Sequence, residues 1–198
     1  NNRIIQVGHI DRFNSAIRAI KNVIKVPRFI ECHRLGPYDA RAIDVGVTLD
    51  LMIHDIDIVM DLVKSPIKSV DAVGVCILSK TEDIANARIR FENNSVCDLT
   101  ASRVTRDVMR KIRIFQDDAY ISIDYVKQEA AIYTKENGSI HHRIINIKKS
   151  DSLKEELLDF VDCIHHNKQP LVSGDEGRAA LALALQIQQQ IQEQQSSR

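Results

Sequence analysis

The chain has 198 residues, 27 Lys and Arg balanced by 27 Asp and Glu, and 44% hydrophobic residues. That length suits one domain, or one and a fraction, and is enough to bury a core without staples. The charge balance excludes a nucleic-acid binder that works through a broad basic field, and no apolar run approaches the roughly 18 residues needed to span a bilayer.

Arg3 to Val7 reads as a short buried strand. Asn14-Ser15 offers an N-cap to a helix over Ala16 to Ile24, where Ile17, Ile20, Val23 and Ile24 recur at helical spacing. Alternation from Arg28 to Arg34 predicts a strand that Gly36-Pro37 ends. After a loop to Gly46, Val47 to Lys64 carries an apolar stripe of Leu49, Ile53, Ile56, Met60 and Val63, so a helix is expected up to Ser65-Pro66.

The middle is strand-rich. Strands are expected around Val73 to Ile77, Ala87 to Phe91, Ser95 to Ser102, Lys111 to Phe115, Tyr120 to Asp124, Ala130 to Tyr133 and Arg143 to Ile147, with turns at Asn93-Asn94, Asp117-Asp118 and Asn137-Gly138. Two helices close the chain. The first is capped by Asp151 or Ser152, and the second begins at Ser173 to Asp175; its Gln-rich end, Gln188 to Gln195, has little to bury and is expected to fray. Six or seven strands with short turns, followed by helices, predict an α+β domain: one open, mainly antiparallel sheet with helices packed on one face. Arg88, Arg90, Lys111 and Arg113 alternate on the other face, and Arg103, Arg106 and Arg110 extend the basic cluster; a solvated or intersubunit surface is expected there.

The four cysteines, Cys32, Cys76, Cys97 and Cys163, are far apart. They read as free thiols of a reducing cytoplasm, not as zinc ligands, which come in close pairs. The adjacent pairs His141-His142 and His165-His166 diverge in direction, so no metal site is expected. The start, Asn1-Asn2-Arg3-Ile4-Ile5, has no signal-peptide pattern and no Met, and it enters an apolar run at once. It reads as a fragment.

Chemistry concentrates in Asp50-Leu-Met52-Ile-His54-Asp-Ile-Asp57. On a helix Asp50, His54 and Asp57 lie along one face. An imidazole beside a carboxylate, on a helix that is otherwise apolar, suits proton transfer near neutrality; a buried His merely satisfied by a neighbouring Asp has the same spacing. No GxGxxG, GxxxxGK[ST] or GxSxG pattern is present, so any nucleotide phosphates are held outside this chain.

Asp50-x-Met52-x-His54-x-x-Asp57, preceded by Gly46, resembles the D-x-G-x-H-x-x-D motif of the Gfo/Idh/MocA oxidoreductases. Val7-Gly8-His9-Ile10-Asp11-Arg12-Phe13-Asn14 is similar to the segment leaving that family's nucleotide-binding domain, and Leu171 to Ala180 to the opening of its last helix. The resemblance implies the C-terminal domain of a glucose-fructose oxidoreductase-like dehydrogenase. Residues 1–10 would be the tail end of a Rossmann domain and 11–198 the substrate-binding and oligomerisation domain. It implies hydride transfer between NAD or NADP and a carbinol carbon of a sugar, cyclitol or nucleotide sugar, with no turnover by this chain alone, since the glycine-rich loop and the family's E-K-P lysine are absent.

His54 would be the general acid/base, Asp50 the group that orients substrate or helps relay the proton, and Asp57 a support for the helix or the imidazole. Arg12, Asn14, Arg34 and Arg41 are candidates for gripping substrate, and Gly8 and His9 for touching cofactor. Met52 stands where the family often has Gly, which narrows the pocket or changes the helix approach. A cytoplasmic homodimer or homotetramer through the open sheet is implied. The alternative is a non-catalytic binding or assembly module that uses the sheet face.

Overall fold

The structure, a computed structural model, describes residues 3–39 and 44–196. Eight strands form one sheet in the order β2-β3-β4-β1-β5-β6-β7-β8. They are β1 Phe29–Leu35, β2 Ile67–Val75, β3 Ile84–Phe91, β4 Val96–Ser102, β5 Met109–Gln116, β6 Ala119–Asp124, β7 Glu129–Glu136 and β8 Ser139–Ile144. Each neighbouring pair is antiparallel except β1 with β4, which run parallel. That exception follows from topology. The first strand inserts between two later hairpin units, and no local turn dictates its direction.

The helices are α1 Ser15–Ile20, α2 Ile53–Val63, α3 Ser152–His166 and α4 Gly174–Ser196. Asn14 caps α1 by accepting the Ala16 N–H at 3.0 Å, and Asp151 caps α3 through Leu153 and Lys154. Lys64 and Asn167 close α2 and α3 in the left-handed region, at φ 49° and 50°. The core lies between the helices and one face of the sheet. Ile30, Ile89, Leu99, Ile112, Ile114, Ile121 and Ile123 meet Ile17, Ile20, Ile56, Val59, Leu183, Ala184 and Ile187 there. Strand alternation places every second residue of the central strands in this layer.

Several expectations change. Arg3 to Val7 forms no strand: Gln6 makes an isolated bridge with Ser173, and the Val7 N–H bonds Val172 O at 3.0 Å. With no neighbouring strand beside it, this segment has no ladder to join. The helix expected from Val47 is two pieces, a π turn Thr48–Met52 followed by α2. Arg103 is no surface cation. Its guanidinium is buried, donating to Asp83 at 2.8 Å and to Val45 O and Ser79 Oγ at 2.7 Å, while Asp83 also accepts the Ile77, Leu78 and Ser79 N–H groups. Burial alone would raise the Asp83 pKa; the hydrogen bonds from Leu78, Arg103, Ile77 and Ser79 outweigh it and hold the carboxyl well below the usual carboxylate range.

Another change is the Gln-rich tail, which continues α4 through Ser196. It lies along β2, where Ile191 is buried, Gln190 donates to Val70 O at 3.0 Å and Gln195 to Gly74 O at 3.2 Å. Gly74 permits this approach, because a Cβ there would stand 2.7 Å from Ile191 Cγ2. The glutamines thus pair with the carbonyls of an edge strand. Ile191→Ala is expected to cost about 2–4 kcal/mol, as a buried Ile-to-Ala change does. Urea unfolding measures it, and an unchanged midpoint would mean that the tail does not contribute to the fold.

Two surfaces stay uncovered. The open sheet face carries an aromatic ladder, Phe29, Phe115, Tyr120, Tyr133 and His142, with successive ring centroids 5.7, 4.8, 5.1 and 4.7 Å apart. Along α3, Leu153, Leu157, Leu158, Val161 and Ile164 are each about half exposed. Among the described residues no helix is long and apolar enough to cross a membrane.

Candidate active site

The site assembles where the 3-10 turn Ile10–Phe13, the start of α2 and the end of β1 meet. The π turn before α2 closes with the Ile53 N–H on Thr48 O. Gly46 sets its start: a Cβ there would fall 2.1 Å from Glu82 Oε1, and that carboxylate accepts the Thr48 N–H at 3.2 Å. The wide turn takes Asp50 out of the α-helical register of His54 and Asp57. Asp50 consequently lines a cavity of about 670 Å³ with Arg34, Pro37, Tyr38, Val108 and Arg110, and His54 is not among the described lining residues. Met52 is fully buried in the core and lines none of this space. Met52 therefore does not narrow this cavity, and of the two effects expected of it a changed helix approach is the one consistent with the π turn it ends.

Two chains of charge meet at His54. On one side, Arg34 at the end of β1 binds Asp55 bidentately, at 2.9 and 2.8 Å, and reaches Asp11 Oδ2 at 2.8 Å. Asp11 Oδ2 lies 3.9 Å from His54 Nδ1. On the other side, Arg12 donates to both oxygens of Asp57, at 3.2 and 3.3 Å, and pairs with Asp61 at 3.0 Å. Asp57 Oδ1 lies 3.2 Å from His9 Nδ1. The His9 and His54 rings meet edge to face, centroids 5.8 Å apart.

Burial, the Arg34 charge and His9 push the His54 pKa down, against Asp11 and Asp55, so the imidazole is neutral at pH 7. Its Nδ1 is buried without a hydrogen-bond partner, and the exposed quarter of the side chain belongs to its other atoms. Burial opposes the Arg34 charge, but Asp55 and Asp11 outweigh it and keep the guanidinium firmly protonated. A neutral imidazole framed by fixed charges can take a proton from a ligand hydroxyl.

The sequence-predicted residues divide accordingly. His54, His9 and Asp57 come together, and Asp50 faces the adjoining cavity. Asp57 supports His9 and Arg12, whereas helical spacing aligns it with His54. Arg12 and Arg34 are buried in internal ion pairs, Arg34 also at the wall of the cavity, and Asn14 caps α1 while donating to Tyr125 O at 3.2 Å. Gly8 is exposed beside Glu156, whose pKa burial raises. Arg41 lies outside the described residues. Helical spacing does not single out Asp11 or Asp55; the signal that could is that acids on an apolar helix, here Asp55 and Asp57, need buried cations, and Arg34 and Arg12 are their match. Among the described residues, no group of three or more His, Cys, Asp or Glu converges as a metal site.

A family model described as the GFO/IDH/MocA C-terminal domain matches residues 22–122. The chain belongs to the GFO/IDH/MocA oxidoreductase family. It is similar to UDP-N-acetylglucosamine 3-dehydrogenase of Acidithiobacillus ferrooxidans, 34% identical over 93% of this chain and 61% of that protein. It is also similar to myo-inositol 2-dehydrogenase of Thermotoga maritima, 26% identical over 98% of this chain and 64% of that protein. A solved structure of the Acidithiobacillus enzyme superimposes with a TM-score of 0.90, covering 95% of this chain and 61% of that one. Levoglucosan dehydrogenase, solved with NADH and L-sorbose, shares the fold at 17% identity, with a TM-score of 0.84 and coverage of 98% and 65%. The chain thus spans somewhat over three fifths of the length of these family members.

Proposed function

We propose that this chain is the substrate-binding and assembly domain of an NAD- or NADP-dependent dehydrogenase that oxidises a carbinol of a nucleotide sugar. The observation that carries this reading is the part-buried imidazole of His54 beside Asp11, which Arg34 links to the wall of the large cavity. The 34% identity to an enzyme named for a UDP-sugar favours a nucleotide sugar over a free cyclitol, and the cavity volume lies within the usual range for ligand sites.

A nicotinamide, when bound, supplies the hydride acceptor. The residues here fit only the reacting end of such a cofactor: the His54 imidazole, about a quarter exposed, stands edge to face with the His9 ring. No phosphate-binding loop is present, and the phosphates fall to a preceding domain. His54 takes the hydroxyl proton as the hydride departs, Asp50 accepts a hydrogen bond from a sugar hydroxyl in the cavity, and Asp57 with Arg12 holds His9 in place. Residues 1–10 are then the tail end of the nucleotide-binding domain and residues 11–198 the substrate domain. The half-exposed apolar stripe of α3 supports a covering domain on that side.

The aromatic ladder, flanked by the Arg113–Glu31 and Arg88–Asp98 pairs, supports a homodimer or homotetramer through the open sheet. A strict monomer in sedimentation at high concentration would sink that part. The function itself is tested by assaying the full-length protein for reduction of NAD or NADP with UDP-sugars and with free cyclitols. UDP-sugar turnover is expected. No turnover with either class would favour the assembly module that the ladder alone would serve.

A further inference from the structure

We infer that Asp11 is the positioning residue for His54: it holds the Nδ1 side of the ring while Nε2 works on the substrate. This rests on the base role proposed above. Helical spacing points instead to Asp50 and Asp57, but Asp57 is taken by Arg12 and His9, and Asp50 lines the cavity. Asp11 Oδ2 is 3.9 Å from a His54 Nδ1 that is buried and has no hydrogen-bond partner. A buried polar atom left unsatisfied costs free energy, and the cost rises when the ring becomes a cation.

Asp11 is free to close that gap. Its present partner, Arg34, keeps two bonds to Asp55, through Nε and Nη2, if Asp11 shifts toward the imidazole. In the oxidation direction the substrate O–H bond breaks and an N–H bond forms at His54 Nε2, while the hydride leaves carbon for the nicotinamide. The resulting imidazolium presents its Nδ1–H to Asp11, which accepts a hydrogen bond and stays ionised. The charged groups facing the ring are Asp11 and His9 from the N-terminal segment, Arg34 from β1 and Asp55 from α2. Of these, Arg34 and His9 oppose the cation, whereas Asp11 and Asp55 favour it.

The first test needs no variant. In long-range 1H–15N NMR of the 198-residue chain, neutral His54 is expected as the Nδ1–H tautomer, which leaves Nε2 free to act as base. A dominant Nε2–H tautomer would overturn the inference. Asp11→Asn removes a charge that favours the imidazolium, so the His54 titration is expected to move to lower pH; an unmoved titration would also overturn it.

In the full-length holoenzyme Asp11→Asn is expected to lower kcat about tenfold or more, a smaller loss than the ~10⁴ seen when the orienting Asp of a serine-protease triad becomes Asn. The acidic limb of kcat/KM should shift to lower pH, and Asp11→Glu should restore much of both. His54→Ala separates the two readings. If it leaves activity intact, the base role fails; if it abolishes activity while Asp11→Asn changes neither kcat nor the limb, only the Asp11 inference fails.

Discussion

His54→Ala in the full-length enzyme is expected to lower kcat about 10²- to 10⁴-fold, the range supplied by a positioned acid or base, with cofactor affinity nearly unchanged. The reason is local. His54 is the imidazole whose buried edge faces Asp11 and whose remaining atoms are open, and its pKa is depressed by burial and by Arg34. The sign of the pH dependence follows. The base form is the neutral ring, so activity in the oxidation direction should hold through neutral pH and fall only below the ordinary histidine value of about 6.5. The same shift sets a stability trend. A histidine with a depressed folded pKa contributes stability that is fully present above about pH 6.5 and is lost as pH falls toward the folded pKa. Stopped-flow hydride transfer across pH 5–8 reads the first effect. A rate that survives His54→Ala would remove the assigned role.

The second large effect is on the fold. Arg34→Ala should destabilise the domain by about 3–5 kcal/mol, because it strands the buried Asp55 carboxylate without its bidentate partner and frees Asp11. Both side chains of the Arg34–Asp55 pair are almost fully buried, so solvent does not screen the loss. Urea unfolding with matched m-values measures it. Arg34→Met combined with Asp55→Leu should recover much of the stability, since an apolar pair removes the orphan charge. If the double variant is no better than Arg34→Ala, the cost comes from packing at this corner and not from the stranded carboxylate. Activity of the double variant should stay low, because Asp11 loses the cation that holds it near His54.

Much of the fold was legible along the chain. Alternation in Ala87 to Phe91 and Lys111 to Phe115, the turns at Asn93-Asn94 and Asn137-Gly138, and the caps at Asn14 and Asp151 are local signals, and local sterics and hydrogen bonding decide them. The eighth strand was misplaced by a few residues: Arg143 to Ile147 was expected and Ser139–Ile144 is seen. It sits at the edge, exposed along its whole length, so no burial pattern marks its ends. Asp50 to Asp57 stands out because acids and a His interrupt an apolar helix, and the structure brings His54 and Asp57 there beside His9, Asp11, Arg12 and Arg34.

The pairings within that corner were not legible. Helical spacing pairs His54 with Asp50 and Asp57, while the π turn redirects Asp50 and the 3-10 turn delivers His9, Asp11 and Arg12 from more than forty residues away. Pairing between distant charges depends on which backbone segments pack together, and no periodicity encodes it. The tail misled for the same reason: Gln188 to Gln195 looks polar and idle until β2 offers it edge carbonyls. The sequence by itself determined most of the elements and the family, since each rests on neighbours in the chain. Only the tertiary structure decided which carboxylate stands beside the His54 ring, which arginines are buried in ion pairs and which faces remain open. Those depend on desolvation and on contacts between parts of the chain that meet only in the fold.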